Sequence, residues 1–256
     1  MRLRTCTSFV VTRQICLSVL LLVIACGSGQ AHDRIPGEIR VEITSGDWQL
    51  IGDLQVPAAP GLVPAVLMLN QAAGTRAAYA DLAAELGKRG IATLRLDLRG
   101  HGESTNLGRF VPGQQGRSSM VWDAEADVIA AQQYLAARDG IDPAKVAIVG
   151  ASYSGEEMAE AGRMHAYAAA YVALSPGSFS DESVRGIDIS HVPWLFVTSR
   201  DERFLQEIRA AVQEQSRTVE QIILPGSGHA ANLLAMHPGL AERIAVWLQA
   251  SLTRTR

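Results

Sequence analysis

The run Lys145-Val146-Ala147-Ile148-Val149 leads without a break into Gly150-Ala151-Ser152-Tyr153-Ser154-Gly155, and Glu156-Glu157-Met158-Ala159-Glu160 follows at once. A β-branched apolar run, a cluster of small residues and then helix formers predict a strand, a sharp turn and a helix. A serine at the tip of such a turn is held in a strained backbone conformation. Small residues two positions before and after it keep Cβ atoms from colliding. The turn lifts the hydroxyl above the sheet edge and aims the first N–H groups of the helix at whatever binds there. Ser152 is therefore the candidate nucleophile.

The rest of the chain places this turn in a layered fold. Glu38–Ile43 and Trp48–Val56 alternate polar and apolar with Ser45-Gly46-Asp47 between them, which predicts an antiparallel hairpin. Pro64–Leu69 and Ile91–Leu96 are continuous apolar runs, as expected of strands buried on both faces. Ala168–Leu174, Trp194–Thr198 and Thr218–Leu224 read as further strands. Helical patterns cover Arg76–Lys88, Val121–Arg138, Glu202–Gln215 and Leu234–Leu252, while Ser175–His191 reads as an irregular connection. Strands alternating with helices imply an α/β fold, a mostly parallel sheet of about eight strands covered on both faces. With 256 residues and 48% hydrophobic composition the chain has material for one sizeable core, assigned to residues 38–256.

The N-terminus reads as a leader. Arg2, Arg4 and Arg13 precede an apolar segment of only 11 residues, Ile15–Ala25, too short to span a membrane as a helix. Its end, Leu22-Val23-Ile24-Ala25-Cys26, resembles a bacterial lipobox. That resemblance implies a signal peptide over 1–25, lipidation of Cys26 and a tether over 26–37. With Gly27 after the cysteine, it implies sorting to the outer membrane of the cell envelope, facing the periplasm. Ordinary secretion with cleavage after Ala31, to the periplasm or beyond, is the rival. All three cysteines lie in this leader segment, so the body has no cysteine nucleophile and no disulfide. Losing three arginines and no acid moves the formal charge from −3 to about −6. No basic block suggests nucleic acid, and no metal-binding spacing or Gly-rich phosphate loop occurs, so no cofactor is implied.

In an open parallel sheet, function gathers at the carboxyl ends of the strands. Asp201 stands just past the strand Trp194–Thr198, and His229 follows the strand ending at Leu224, in Pro225-Gly226-Ser227-Gly228-His229. The order Ser152, Asp201, His229, at intervals of 49 and 28 residues, resembles the α/β-hydrolase superfamily, whose triad runs nucleophile, acid, histidine. The turn Asp97-Leu98-Arg99-Gly100-His101-Gly102-Glu103-Ser104 is similar to one common in that superfamily. The resemblance implies a serine hydrolase in which His229 takes the Ser152 proton and Asp201 orients the imidazole. The backbone N–H groups of Tyr153 and Ala72 would form the oxyanion hole. Asn70-Gln71 replaces the family's usual His-Gly beneath that hole, and Ser154 replaces its usual Gly.

Blander roles suit the remaining candidates. His101 and Asp97 belong to the Gly-rich turn and read as structural. His165, His191 and His237 lie outside the strand-end loops. Arg76, Arg200 and Arg203 read as solvated surface near the site's mouth. The segment 175–191 is too short for a large cap domain, which implies an open site with the loop Leu98–Met120, and nearby Trp122, as a second wall. Similarity to dienelactone-hydrolase-like esterases implies hydrolysis of small-molecule carboxylic esters through an acyl-enzyme, by a monomer or small homo-oligomer. A peptidase or amidase of the same fold, or a catalytically silent binding protein, are the alternatives.

Overall fold

The computed structural model describes residues 35–114, 119–202 and 219–253. The expected leader, the lipidation site Cys26 and the helix expected beyond Glu202 lie outside the described residues.

Residues at alternate positions of the central strands feed two separate cores. On β3 (Val63–Leu69), Ala65, Leu67 and Leu69 join one cluster and Val66 and Met68 the other. On β5 (Ile141–Ala151), Val146 and Ile148 face the first core, and Ala147 and Val149 the second. Period-two geometry with both faces buried is why these strands read as unbroken apolar runs. The first core is closed by α3 (Glu125–Ala136), α4 (Tyr153–Met164) and α5 (Asp181–Ser190), through residues such as Val128, Leu135, Met158 and Ile187. The second is closed by α1 (Ala80–Gly87) and a C-terminal helix, Leu240–Thr253, through Leu82, Leu86, Ile244 and Leu248.

Eight strands form one sheet in the order β1-β2-β4-β3-β5-β6-β7-β8. The hairpin of β1 (Ile39–Ser45) and β2 (Trp48–Gln55) is antiparallel, and β2 runs antiparallel to β4 (Ala92–Asp97). From β4 onward the pairing is parallel, through β3, β5, β6 (Ala170–Leu174), β7 (Trp194–Ser199) and the edge strand β8 (Val219–Leu224). The loops after β3, β5, β7 and β8 therefore open on the same end of the sheet.

Three connections differ from the sequence reading. The segment expected to be irregular after β6 contains α5, whose first turn is capped by Ser180: its hydroxyl oxygen accepts the Ser183 N–H. Asp181 and Glu182 then complement the positive helix start. The single helix expected over Leu234–Leu252 is two, α6 (Asn232–Met236) and α7 (Leu240–Thr253), because Pro238 between them cannot continue the first. The helix expected from Val121 is likewise split into α2 (Ser119–Trp122) and α3. No large cap interrupts the β6–β7 connection, which carries only the ten residues of α5.

Candidate active site

Ser152 caps α4 with φ 54° and ψ −121°, a positive-φ conformation that costs a non-glycine residue about 1–3 kcal/mol. Its surroundings hold it there. The Ser152 N–H donates to the Leu174 carbonyl, and the Ser152 carbonyl accepts from Gly155 and Gly177, each at 3.0 Å. Two glycines make room. A Cβ on Gly150 would lie 2.6 Å from the Ser154 carbonyl oxygen, and one on Gly155 would lie 2.9 Å from Pro176 Cβ. Ser154, where the superfamily has glycine, does more than fit. Its hydroxyl accepts the Ala151 N–H at 2.7 Å and donates to the Ala151 carbonyl at 2.9 Å, bracing the turn from inside.

His229 follows β8, and its Nε2 lies 3.1 Å from Ser152 Oγ. Its Nδ1 lies 2.6 Å from Glu202 Oε1. A ring nitrogen this close to a carboxylate oxygen carries the proton, so Nδ1–H donates to Glu202 and Nε2 is left to accept from the serine hydroxyl. The acid on the imidazole is therefore Glu202, and the expectation of Asp201 is corrected. Asp201 is exposed, and its backbone N–H is spent on the Gly226 carbonyl. Glu202 is buried, and its second oxygen, Oε2, accepts from Ser175 Oγ at 2.7 Å and from the Ser199 N–H at 2.9 Å. Adjacent carboxylates past a strand end look equivalent in sequence. The turn Ser199–Glu202 decides between them by sending Glu202 inward. The longer Glu side chain spans from that turn to the histidine loop, which Ser199 Oγ also ties down at the Gly228 carbonyl, 2.6 Å away.

The expected oxyanion donors lie at the starts of two connections. Tyr153 is the first residue of α4, and Ala72 occupies a turn in which the Gly74 N–H donates to the Gln71 carbonyl at 2.9 Å, with Ala73 at φ 57°. Among the described residues, neither the Tyr153 nor the Ala72 N–H has a protein acceptor. The unusual Asn70-Gln71 pair acquires a purpose here. Asn70 Oδ1 accepts the Leu98 N–H at 2.8 Å, joining the ends of β3 and β4. Gln71 Oε1 accepts the Ala231 N–H at 2.8 Å, joining the Ala72 turn to the loop that carries His229.

The Gly-rich turn after β4 supports the site from below. Asp97 accepts the backbone N–H groups of Arg76 at 2.7 Å and Glu103 at 3.0 Å and pairs with the Arg76 guanidinium. Arg76 is only 1% exposed and also reaches Asp53 and Glu103, so it is a buried counter-ion and not surface at the mouth, as its sequence position suggested. His101 is buried, with Nδ1 2.9 Å from the Arg99 carbonyl, and stacks on Phe110 at 4.9 Å and on Tyr153 at 5.7 Å. Burial lowers its pKa, which keeps it neutral. His165 and His191 sit at the ends of α4 and α5, and His237 at the end of α6, away from Ser152 in the fold. Arg203 lies outside the described residues.

A hydroxyl after β5, a carboxylate after β7 and an imidazole after β8, on a mostly parallel eight-stranded sheet, define an α/β-hydrolase. Comparisons with known proteins narrow this class. The family described as serine aminopeptidase, S33, matches residues 63–231, and the chain belongs to that family. An uncharacterized protein of Mycobacterium tuberculosis is 33% identical over 166 residues, 64% of this chain and 53% of that protein. The chain thus spans about half the length of the curated relatives it matches. Among solved structures, the ferulic acid complex of Est1E from Butyrivibrio proteoclasticus superposes with a TM-score of 0.64 at 18% identity, covering 82% of this chain and 96% of that one. A dienelactone hydrolase-like promiscuous phosphotriesterase, P91, from metagenomic libraries gives 0.65 at 20% identity, covering 84% and 97%. At such identities these two show a shared fold. Together the findings make the chain a member of the α/β-hydrolase superfamily.

Proposed function

We propose that the protein is a serine esterase, cleaving carboxylic esters of small molecules through an acyl-enzyme, with Ser152 as nucleophile, His229 as base and Glu202 as the orienting acid. The observation that carries this is the continuous relay from Ser152 Oγ through both nitrogens of His229 to Glu202. A serine hydroxyl is a poor nucleophile at neutral pH, and an imidazole whose far nitrogen is fixed by a buried carboxylate presents a free lone pair to its proton. As Oγ attacks the ester carbonyl, the proton passes to Nε2 and the imidazolium forms against the Glu202 charge. The carbonyl oxygen takes up negative charge facing the Tyr153 and Ala72 N–H groups, each such donor being worth about 3 kcal/mol of barrier. Collapse expels the alcohol, which receives the proton from Nε2. Water then repeats the sequence on the acyl-Ser152 ester and releases the acid.

The leader supports a second element of the proposal. Its arginines, short apolar run and cysteine after Ala25 favour an exported protein anchored by a lipid on Cys26, with ordinary secretion as the competing route.

The test is hydrolysis of p-nitrophenyl acetate and butyrate by residues 27–256, beside Ser152→Ala and His229→Ala, with fluorophosphonate labelling of the same samples. Turnover and labelling are expected in the parent protein and should be lost in both variants. Turnover of aminoacyl p-nitroanilides but not of esters would make it a peptidase. Absence of both turnover and labelling from folded protein would overturn the triad.

A further inference from the structure

Phe110, Val111, Gly113, Gln114, Val121 and Trp122 enclose, with Ala72, a cavity of about 340 Å³. Three features set it apart. Its wall includes Ala72, whose N–H is one of the two proposed oxyanion donors. Among the described residues, none of those lining it is charged, and most are apolar. One wall is held rigid from behind, because Phe110 stacks on His101, which in turn stacks on Tyr153, the residue supplying the other proposed donor.

A second, larger cavity of about 590 Å³ is also lined by Trp122, but its wall carries Glu156, Glu157, Glu160, Arg163 and Glu182. Water held by five ionisable side chains is costly to displace with hydrocarbon, so an apolar chain is directed to the first cavity and not the second. Trp122, 61% exposed, is common to the lining of both.

We infer that the cavity bounded by Phe110, Val111, Val121 and Trp122 is the acyl site, and that it selects esters of uncharged, apolar acids of medium length. This rests on the assignment of Ser152 as nucleophile. In the acyl-enzyme the acid's first carbon is bonded to Ser152 Oγ with its oxygen toward Ala72, and the remaining carbons run along the Ala72 turn into the cavity. The leaving alcohol departs on the opposite side, where no cap domain covers the site among the described residues. Each methylene that leaves water for this cavity strengthens transition-state binding about fourfold.

The test is the chain-length profile of kcat/KM for p-nitrophenyl acetate, butanoate, hexanoate and octanoate, measured on the parent protein and on Val121→Trp, Trp122→Ala and Glu160→Ala. The parent profile should climb about fourfold per methylene from acetate to hexanoate. Val121→Trp fills the cavity and should cut the hexanoate-to-acetate ratio by about tenfold or more. Trp122→Ala removes an apolar lining side chain from an already exposed position, so it keeps the question answerable if Val121→Trp does not fold. It should lower the same ratio severalfold. Glu160→Ala, in the wall of the charged cavity, should leave the ratio unchanged. Turnover of acetate with a flat parent profile, or a steep profile that neither Val121→Trp nor Trp122→Ala alters, would overturn the acyl site while leaving the triad standing. No turnover of any ester, with no labelling of Ser152, would instead overturn the triad on which it rests.

Discussion

Glu202→Gln and Asp201→Asn make the sharpest pair of substitutions. In Glu202→Gln the amide can be placed two ways, and the structure selects one. The position of Oε2 faces the Ser199 backbone N–H, which can only donate, and the Ser175 hydroxyl. The amide oxygen is therefore required there, and the NH2 group is turned toward His229 Nδ1. A donor at that point favours the tautomer with its proton on Nε2, which has no lone pair to accept from Ser152. Losing both the tautomer and the charge that stabilises the imidazolium costs about 10⁴ in kcat, or roughly 5.5 kcal/mol of barrier. Asp201→Asn changes an exposed side chain and should stay within about twofold. The assay is steady-state hydrolysis of p-nitrophenyl butyrate, with circular dichroism to confirm that both variants are folded. Loss of 10³ or more in Asp201→Asn, with Glu202→Gln within tenfold of the parent, would refute the tautomer argument and return the acid to Asp201.

Two further perturbations probe parts the sequence left obscure. Gln71→Leu removes the acceptor of the buried Ala231 N–H and unties the Ala72 turn from the His229 loop. Steady-state kinetics should show kcat falling about tenfold to a hundredfold with KM within threefold, and Gln71→Glu, which keeps an acceptor, should recover most of it. Glu157, buried between α4 and α3, has its pKa pushed up to about 8, chiefly by burial and then by the charge of Glu125. The folded state thus holds a proton that the unfolded chain releases near pH 4.5, so this carboxyl's stabilising contribution is complete below that pH. It declines as pH rises toward 8, at up to about 1.4 kcal/mol per unit. Chemical denaturation from pH 5 to 9 should show Glu157→Gln flattening that decline and exceeding the parent in stability at pH 9.

The architecture was legible wherever a residue's own chemistry decides its place. Continuous apolar runs such as Pro64–Leu69 have nowhere to go but a strand covered on both faces, and Ser152 and His229 stand at strand ends that parallel pairing must bring to one edge. Some misses were readable by the same rules: Pro238 breaks the terminal helix, and Ser180 followed by two acids starts α5. Arg76 could not be read this way, because its burial follows from Asp53 on β2 and from Asp97 at the end of β4 with Glu103 in the turn after it, two stretches far apart in sequence, converging on it.

The choice of Glu202 over Asp201 belongs with another feature the sequence conceals. Of the five non-glycine residues with positive φ among those described, four lie around the site: Ala73 in the Ala72 turn, Ser152 at the tip of the turn from β5 into α4, Ser175 just after β6 and Ala230 next to His229. Glycine would relieve each at little local cost, so residue preference alone gives no warning of the conformation. A rigid alternative explains their place. Glycine also widens what the unfolded chain and the loop can sample, whereas an alanine or serine forced into this region by its hydrogen bonds has few other conformations to visit. Ser152 is fixed by Leu174, Gly155 and Gly177, Ser175 by Val197 and Glu202, and the Ala230 turn by Gln71 through Ala231. Strain at these four positions and the bonds that hold it are thus one arrangement, in which the spacing of hydroxyl, imidazole and N–H donors is set before any substrate arrives.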